Sequence, residues 1–253
     1  MLHRLRRHPF TVEAFFRHSL VLTYAFPAET LAPLLPPGLR LDTYGAFGFL
    51  AIALVQTRGL RPTFLPRALG QDFFLSGYRV FARFDTPSGR ALRGLRILRS
   101  DADRRLMVAS GNLFTHYRYR LCRASLREGD GRLDLRILTP GAEADLDLTA
   151  DLDSRPAPLP ETSPFPDLAE ARKFAGPLPF TFDYEPETHS IVVIEGVRET
   201  WDPRPLRVEV RECTFLAKPP FDRGGRLANA FYVQDVPYRW RPGRLVPLPR
   251  EAK

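Results

Sequence analysis

Hydrophobic and polar positions alternate with period two along most of this chain, and clusters of Gly, Pro, Asp and Ser separate the alternating runs. That pattern predicts strands joined by short turns. From Thr11, VEAFFRHS reads as a short helix or an extended lead-in, and VLTYAF as a strand from its β-branched and aromatic content. Pro27 suits the first position of a short helix, AETLAPLL, which Pro36, Pro37 and Gly38 end. LRLDTYGAFGFLAIALVQTR then reads as two strands joined at Tyr44 and Gly45, the second so continuously apolar that both its faces should be buried. DFFLSGYRVFARF and RALRGLRILRS make the clearest hairpin, with the turn formers Asp85, Thr86, Pro87, Ser88 and Gly89 between them.

In residues 94–120 polar positions interrupt the structured segments, which makes this stretch the first place to look for chemistry. An acidic turn at Asp101 and Asp103 leads into RRLMVASG, a short helix, and then THYRYRLCRASLRE, a long strand. In HYRYR, period two puts His116, Arg118 and Arg120 on one face and Tyr117 and Tyr119 on the other, as in a half-buried strand with its aromatics inward. Residues 129–131 form a turn, RLDLRIL an alternating strand and ADLDLTADLD an edge strand. The Pro-rich segment 154–166 reads either as a linker or as a surface crossing, and DLAEARKF as a short helix. PFTFDYE, HSIVVIEGVRE, LRVEVRECTFL and NAFYVQDVPYRW complete the strands, and no internal repeat is visible. Many strands, hairpin-length loops and few short helices predict a mainly β (α+β) fold: a single large, mostly antiparallel β-barrel. It would span residues 11–245, between a basic N-terminal arm at 1–10 and a C-terminal tail at 246–253. Its interior would be the ligand cavity.

With 253 residues, 44% hydrophobic and 26% charged, the chain can bury a large core and is not mostly disordered. The net charge of +8 comes from arginine, with lysine only at Lys173, Lys218 and Lys253, and the cations are interleaved with 29 acidic residues. Interleaving makes a mixed-charge surface, so nucleic acid is disfavoured as a partner. Cys122 and Cys213 lie outside any CxxC spacing and point to a reducing cytoplasm, with one intramolecular bridge left open. No apolar run approaches the roughly 20 residues of a membrane span, and the first ten residues lack a secretory apolar stretch, so a cytoplasmic protein with no membrane partner is expected. The five histidines are dispersed, and HExxH, GxSxG and the dinucleotide and phosphate-loop glycine spacings are absent. No metal or other cofactor is expected.

Chemistry is sought instead in charges on otherwise apolar strand faces, because a charge inside a barrel must be paired, solvated or used. Alternation puts Arg96 on the face of Leu92 and Leu98, and Arg99 on that of Leu95 and Ile97. Glu195 follows Ile191 and Val193, and Glu212 follows Val208 and Val210, in the same manner. Singly each is a strand-end salt bridge; several converging inward would hold an anionic ligand. Asp101 and Asp103 are candidates either for acid–base steps or for capping the following helix, and His116 is a further acid–base candidate.

LTYAFPAETLAPLLPPGLRLD, the hairpin ending GLRILRSDADRRL, and AGPLPFTFDYE resemble the uncharacterised YqjF-like proteins, the domain of unknown function family 2071, over most of the chain. That family is similar to the acetoacetate decarboxylase-like superfamily, a resemblance carried here by residues 15–103 and most specifically by PPGLRLD. It implies a large β-barrel whose internal cavity takes a small carboxylate, keto acid or other carbonyl compound. The decarboxylase's substrate-binding arginine matches Arg17 when LLPPGL is the anchor. Its catalytic lysine pair falls near Ala102 and Asp103, where no amine exists to form a Schiff base, and the acidic residue of its second strand falls near Phe49. The resemblance therefore implies a cofactor-independent, lyase-like enzyme without that lysine. Arg17 with Arg96 or Arg99 would hold the anion, and Asp101, Asp103 or His116 would move protons. Two alternatives stand beside it: a protein that binds the same ligand without chemistry, and an Arg-rich interaction or nucleic-acid module. A monomer and a small homo-oligomer are both compatible with the superfamily.

Overall fold

Alternation over long runs produces long strands, and the computed structural model, which describes residues 2–153, 157–176 and 178–249, is built from them. The first half forms β1 (Val12–Pro27), α1 (Ala28–Leu31), β2 (Leu39–Leu41), β3 (Phe47–Pro62), β4 (Gln71–Asp85), β5 (Ala91–Ala102), α2 (Arg105–Phe114) and β6 (Tyr119–Leu121). Next come β7 (Arg123–Gly129), β8 (Arg132–Leu138), β9 (Leu146–Asp151) and α3 (Leu168–Ala175). The chain ends with β10 (Phe180–Glu185), β11 (Ser190–Val197), β12 (Arg204–Pro205), β13 (Arg207–Cys213), β14 (Arg226–Trp240) and β15 (Arg244–Pro247).

Seven strands close a ring in the order β14-β1-β3-β4-β5-β10-β11, and β11 returns to β14 with Gly196 opposite Trp240 and Val197 opposite Arg239. Every neighbouring pair in the ring is antiparallel except β5 with β10. The expected mainly β, barrel-like architecture is therefore present. A second sheet, β13-β9-β8-β7, lies against the outside of the ring. Leu20, Leu22, Leu50, Ile52, Leu54 and Tyr78 of the ring pack there with Leu133, Leu135, Ile137, Leu146 and Leu148. Each such aliphatic side chain contributes roughly 1.5–3 kcal/mol relative to exposure. The arrangement explains the apolar run in β3: one face meets the second sheet while the other lines the ring's interior. One end of that interior is closed by α3 and the segment before it, where Phe165 stacks on Phe49 at 5.3 Å and Phe174, Ala171 and Ala175 complete an aromatic plug.

Several local expectations change in the folded chain. VEAFFRHS is strand, because its apolar positions continue the period of VLTYAF and β1 runs through both. β2 pairs with β4 instead of forming a hairpin with β3, leaving only a Tyr44–Phe47 bridge between the two. The long strand expected over residues 115–128 is broken: Arg118 adopts φ 53°, β6 joins β5 in parallel, and the chain crosses at Cys122 into the second sheet. β9 is flanked by β13 and β8, so ADLDLTADLD is not an edge strand. The basic N-terminal segment docks, with Arg7 Nε donating to the buried Glu185 carboxylate at 2.9 Å and the His8 amide donating to the Phe114 carbonyl at 2.9 Å. Both cysteines are free. Of the Pro-rich segment, residues 154–156 lie outside the described residues, and Phe165 is buried in the plug.

Among the β-bulges of the ring, two lie at or beside residues singled out from the sequence. In β5, Tyr78 pairs with Arg99 and Arg79 with Ile97, so Leu98 is an extra residue. In β1, Phe16 pairs with Thr57 and His18 with Gln56, so Arg17 is the extra one. Because strand side chains alternate, one inserted residue transfers everything beyond it to the opposite face.

Candidate functional site

The ring's interior holds a cavity of about 450 Å³. Its walls come from inward positions of β1 (Phe16, Ser19, Val21), β3 (Ala51, Ala53, Val55, Thr57), β4 (Phe73, Leu75, Arg79, Phe81) and β5 (Leu95, Ile97, Ser100). Small side chains at 19, 51, 53 and 100 leave the space that larger ones would fill. The end opposite the plug is bounded by loop 63–70 and α2, where Phe64 and Leu69 line the cavity yet are 69% and 61% exposed.

Arg79 is the one strand-borne cation on this wall that has no carboxylate partner among the described residues. It pairs across the sheet with Ala51 and Ile97. Its guanidinium folds back along β4 over Gly77, where a β-carbon would lie 3.0 Å from Arg79 Nε. That close approach is what a glycine at 77 permits. The side chain is enclosed by protein except where it opens on the cavity, and its Nε has no hydrogen-bond partner in the protein. Burial lowers its pKa from the usual guanidinium value, and the only ionisable groups opposing that are the hydroxyls of Tyr238, Tyr119 and Tyr117. An isolated buried cation carries an effective desolvation penalty of several kcal/mol, which a carboxylate or phosphate seated on its fork of N–H donors would offset.

Polar groups gather around it. Tyr238 accepts a hydrogen bond from Arg198 Nη1 at 3.4 Å, and the Arg198 guanidinium lies 4.6 Å above the Trp201 ring. Tyr117 and Thr181 both line the cavity. Burial pushes the Tyr119 phenol up to about 12 and raises Tyr117 and Tyr238 as well, so all three are neutral donors at pH 7. His8 also lines the cavity; burial lowers its pKa to about 4, so its imidazole is neutral, and its Nδ1 has no partner. Together with Arg198, these groups offer two cations without a carboxylate partner among the described residues, three phenolic donors and a neutral imidazole in a mainly apolar chamber, and of the two cations Arg79 is the one carried on a strand.

The eight residues singled out from the sequence lie elsewhere, and none lines this cavity. Arg99 was expected beside Leu95 and Ile97, but the bulge at Leu98 turns it outward and gives Ser100 the inward place. There Arg99 forks the buried Asp101, with Nε–Oδ2 and Nη2–Oδ1 both 2.8 Å, and reaches Glu143 at 2.6 Å. Asp103 accepts a hydrogen bond from the Phe74 amide at 2.8 Å. α2 begins after Arg104 with no side-chain cap, so the capping expected of the two aspartates is absent: each carboxylate is already engaged beside β4 or β5. Arg96 forms an ion pair with Asp183. Arg17, at its bulge, faces solvent and binds Asp235 Oδ1 at 2.6 Å. Glu195 pairs with Arg241 at 2.9 Å, and Glu212 is exposed on β13 in the second sheet. His116 is half-buried with Nε2 3.9 Å from Glu185, and burial lowers its pKa. The structure thus brings Arg99 and Asp101 together and leaves the other six apart. Tyr117 and Tyr119 do point inward, as the alternation in HYRYR indicates. Arg79 was missed, although the same test finds it: it shares a strand face with Phe73, Leu75, Gly77 and Phe81.

The chain matches the DUF2071 family of uncharacterized conserved proteins over residues 13–237. It belongs to that family. No curated protein sequence matches this DUF2071 chain, whereas several solved structures share its fold. The acetoacetate decarboxylase of Legionella pneumophila aligns at 13% identity and TM-score 0.61, over 94% of this chain and 88% of that one. An acetoacetate decarboxylase-like enzyme of Sphingomonas wittichii RW1 aligns at 14% identity and TM-score 0.60, over 97% and 94%. The enduracididine biosynthesis enzyme MppR, in a complex with pyruvate, aligns at 12% identity and TM-score 0.57, over 94% and 90%. At these identities the likeness concerns the fold. In the DUF2071 chain Lys173 is exposed beside Glu170 at 3.2 Å, Lys218 donates to the Ala142 carbonyl at 3.0 Å, and neither lines the cavity. Lys253 lies outside the described residues. Among the described residues no group of three or more His, Cys, Asp or Glu could hold a metal ion, and no helix is long and apolar enough to cross a membrane.

Proposed function

We propose that the ring interior binds a small organic acid, with its carboxylate seated on Arg79 and its oxygens bonded in addition by the phenols of Tyr117, Tyr119 and Tyr238. The observation that carries this reading is the enclosed Arg79 guanidinium, which opens on the cavity and has no anion from the protein. An arginine fork matches a carboxylate in plane and charge, and a low-dielectric chamber strengthens the bond. MppR, of the same fold, is complexed with pyruvate, which supports a carboxylate as the ligand class. The anion-holding role passes to Arg79 from Arg17, Arg96 and Arg99, whose charges are balanced by Asp235, Asp183, and Asp101 with Glu143. Asp101, Asp103 and His116 present no surface to the cavity, so proton transfer within it would fall to the tyrosines or His8. A lyase-like step there would proceed without an imine, because no described lysine reaches the wall.

Thermal-shift measurements with pyruvate, acetoacetate and hexanoate test the proposal. Wild type and Arg17→Ala should both be stabilised by at least one of these acids, and Arg79→Met should lose the response. An undiminished response in Arg79→Met, or no response of the wild type to any carboxylate, would refute it.

A further inference from the structure

Resting on the reading of Arg79 as the anion seat, we infer that the natural ligand is an amphipathic acid, a carboxylate on an extended apolar chain, and not a keto acid of three or four carbons. The order of side chains along the interior supplies the argument. One inward step from Arg79 toward the closed end lies Phe81, packed into the aromatic plug with Phe49 and Phe174. In the opposite direction β4 presents Leu75 and then Phe73, which pairs with Thr57 of β3. The guanidinium lies over Gly77, and four residues of strand separate Gly77 from Phe73, or roughly 13 Å of wall at ~3.3 Å per residue. Facing strands line that stretch with Ala53 and Val55, and beyond it lie the exposed Phe64 and Leu69. The charged seat therefore sits partway along the passage, with an apolar stretch of β4 wall between it and loop 63–70. A three-carbon acid would cover the seat and leave that passage unfilled, whereas a cavity of about 450 Å³ lies within the range that encloses drug-sized ligands. An apolar tail lying along β4 toward loop 63–70 fills it.

Both tryptophans of the chain, Trp201 and Trp240, line the cavity, so intrinsic fluorescence reads its occupancy directly. The experiment titrates the full chain with pyruvate, with straight-chain acids from butyrate to octanoate, and with octanol. The dissociation constant should fall about fourfold per added methylene, the equivalent of ~0.8 kcal/mol for each buried CH₂, and octanol should bind far more weakly than octanoate. Thr57→Phe, which narrows the end toward loop 63–70, should weaken octanoate at least tenfold and butyrate by a much smaller factor. Arg79→Met should weaken every acid. Affinity independent of chain length, with all acids still lost in Arg79→Met, would overturn the long-chain inference and leave the anion seat standing. Octanol and octanoate binding alike, with no effect of Arg79→Met, would overturn both, as would silence toward every acid. If either variant fails to fold by circular dichroism, the wild-type length series and the octanol comparison still decide.

Discussion

Replacing Arg79 by Met should make the empty protein more stable while destroying its ligand response, a pairing of effects that separates a binding residue from a structural one. Met keeps an unbranched, apolar side chain against Gly77 and Ile97 and removes a cation that has no carboxylate partner. Substituting hydrophobic residues for buried charge stabilises by about 1–4 kcal/mol even when the charge was paired. Taking ~2 kcal/mol, and roughly 2–4 °C per kcal/mol for a chain of this size, the melting temperature should rise by about 4–8 °C. Ligand reverses the order: at a hundred times its dissociation constant an acid adds ~2.7 kcal/mol to the wild type and nothing to the variant. The assay is a pair of melting curves by circular dichroism, in carboxylate-free buffer and with saturating octanoate. A variant that melts several degrees below the wild type without ligand would show that structural contacts hold Arg79 and that its charge is already balanced in the empty protein.

Acidification should destabilise the fold through its buried histidines. His8 titrates near 4 when folded and near 6.5 when unfolded, so its contribution is complete above pH 6.5 and is lost as pH falls from 6.5 through about 4, a total of about 3 kcal/mol; urea denaturation at pH 7 and pH 5 should show the fall, and His8→Phe should flatten it. Asp101→Ala strands the Arg99 fork in a buried site and should cost about 3–5 kcal/mol in chemical denaturation while leaving anion binding unchanged, so lost binding in a folded Asp101→Ala would contradict its placement outside the cavity. Gly77→Ala puts a methyl 3.0 Å from Arg79 Nε, and the acid affinity should drop with little change in melting temperature; unaltered affinity would mean that the guanidinium position is not critical. Ile52→Ala, in the layer between ring and second sheet, should cost about 2–5 kcal/mol by urea denaturation and spare the binding site.

Much of the architecture was legible because it depends on local pattern. The turn formers Thr86 to Gly89 lie between β4 and β5 as expected, with Asp85 ending β4; the doubly apolar run in β3 is buried on both faces, and the Pro-Pro-Gly after the short helix ends it. The inward tyrosines of HYRYR were legible for the same reason. Strand pairing was less so: β9 is central and β2 crosses to β4, choices made by which distant faces complete each other.

Sequence alone determined the strand-rich class, the absence of lysine from residues 94–120 and the existence of charges on apolar strand faces. Tertiary structure decided which charges are balanced. A single inserted residue at Leu98 carried Arg99 and Asp101 out of the interior, and another at Arg17 put that residue in solvent beside Asp235. Alternation predicts faces only while the register is unbroken, and a bulge is set by pairing with a strand far away in sequence. Arg79 lies on β4, opposite the bulged strand, where alternation from Phe73 to Phe81 is unbroken, and it keeps its inward place; among the strand-borne arginines of the wall it lacks a carboxylate because the long-range pairings satisfied the others.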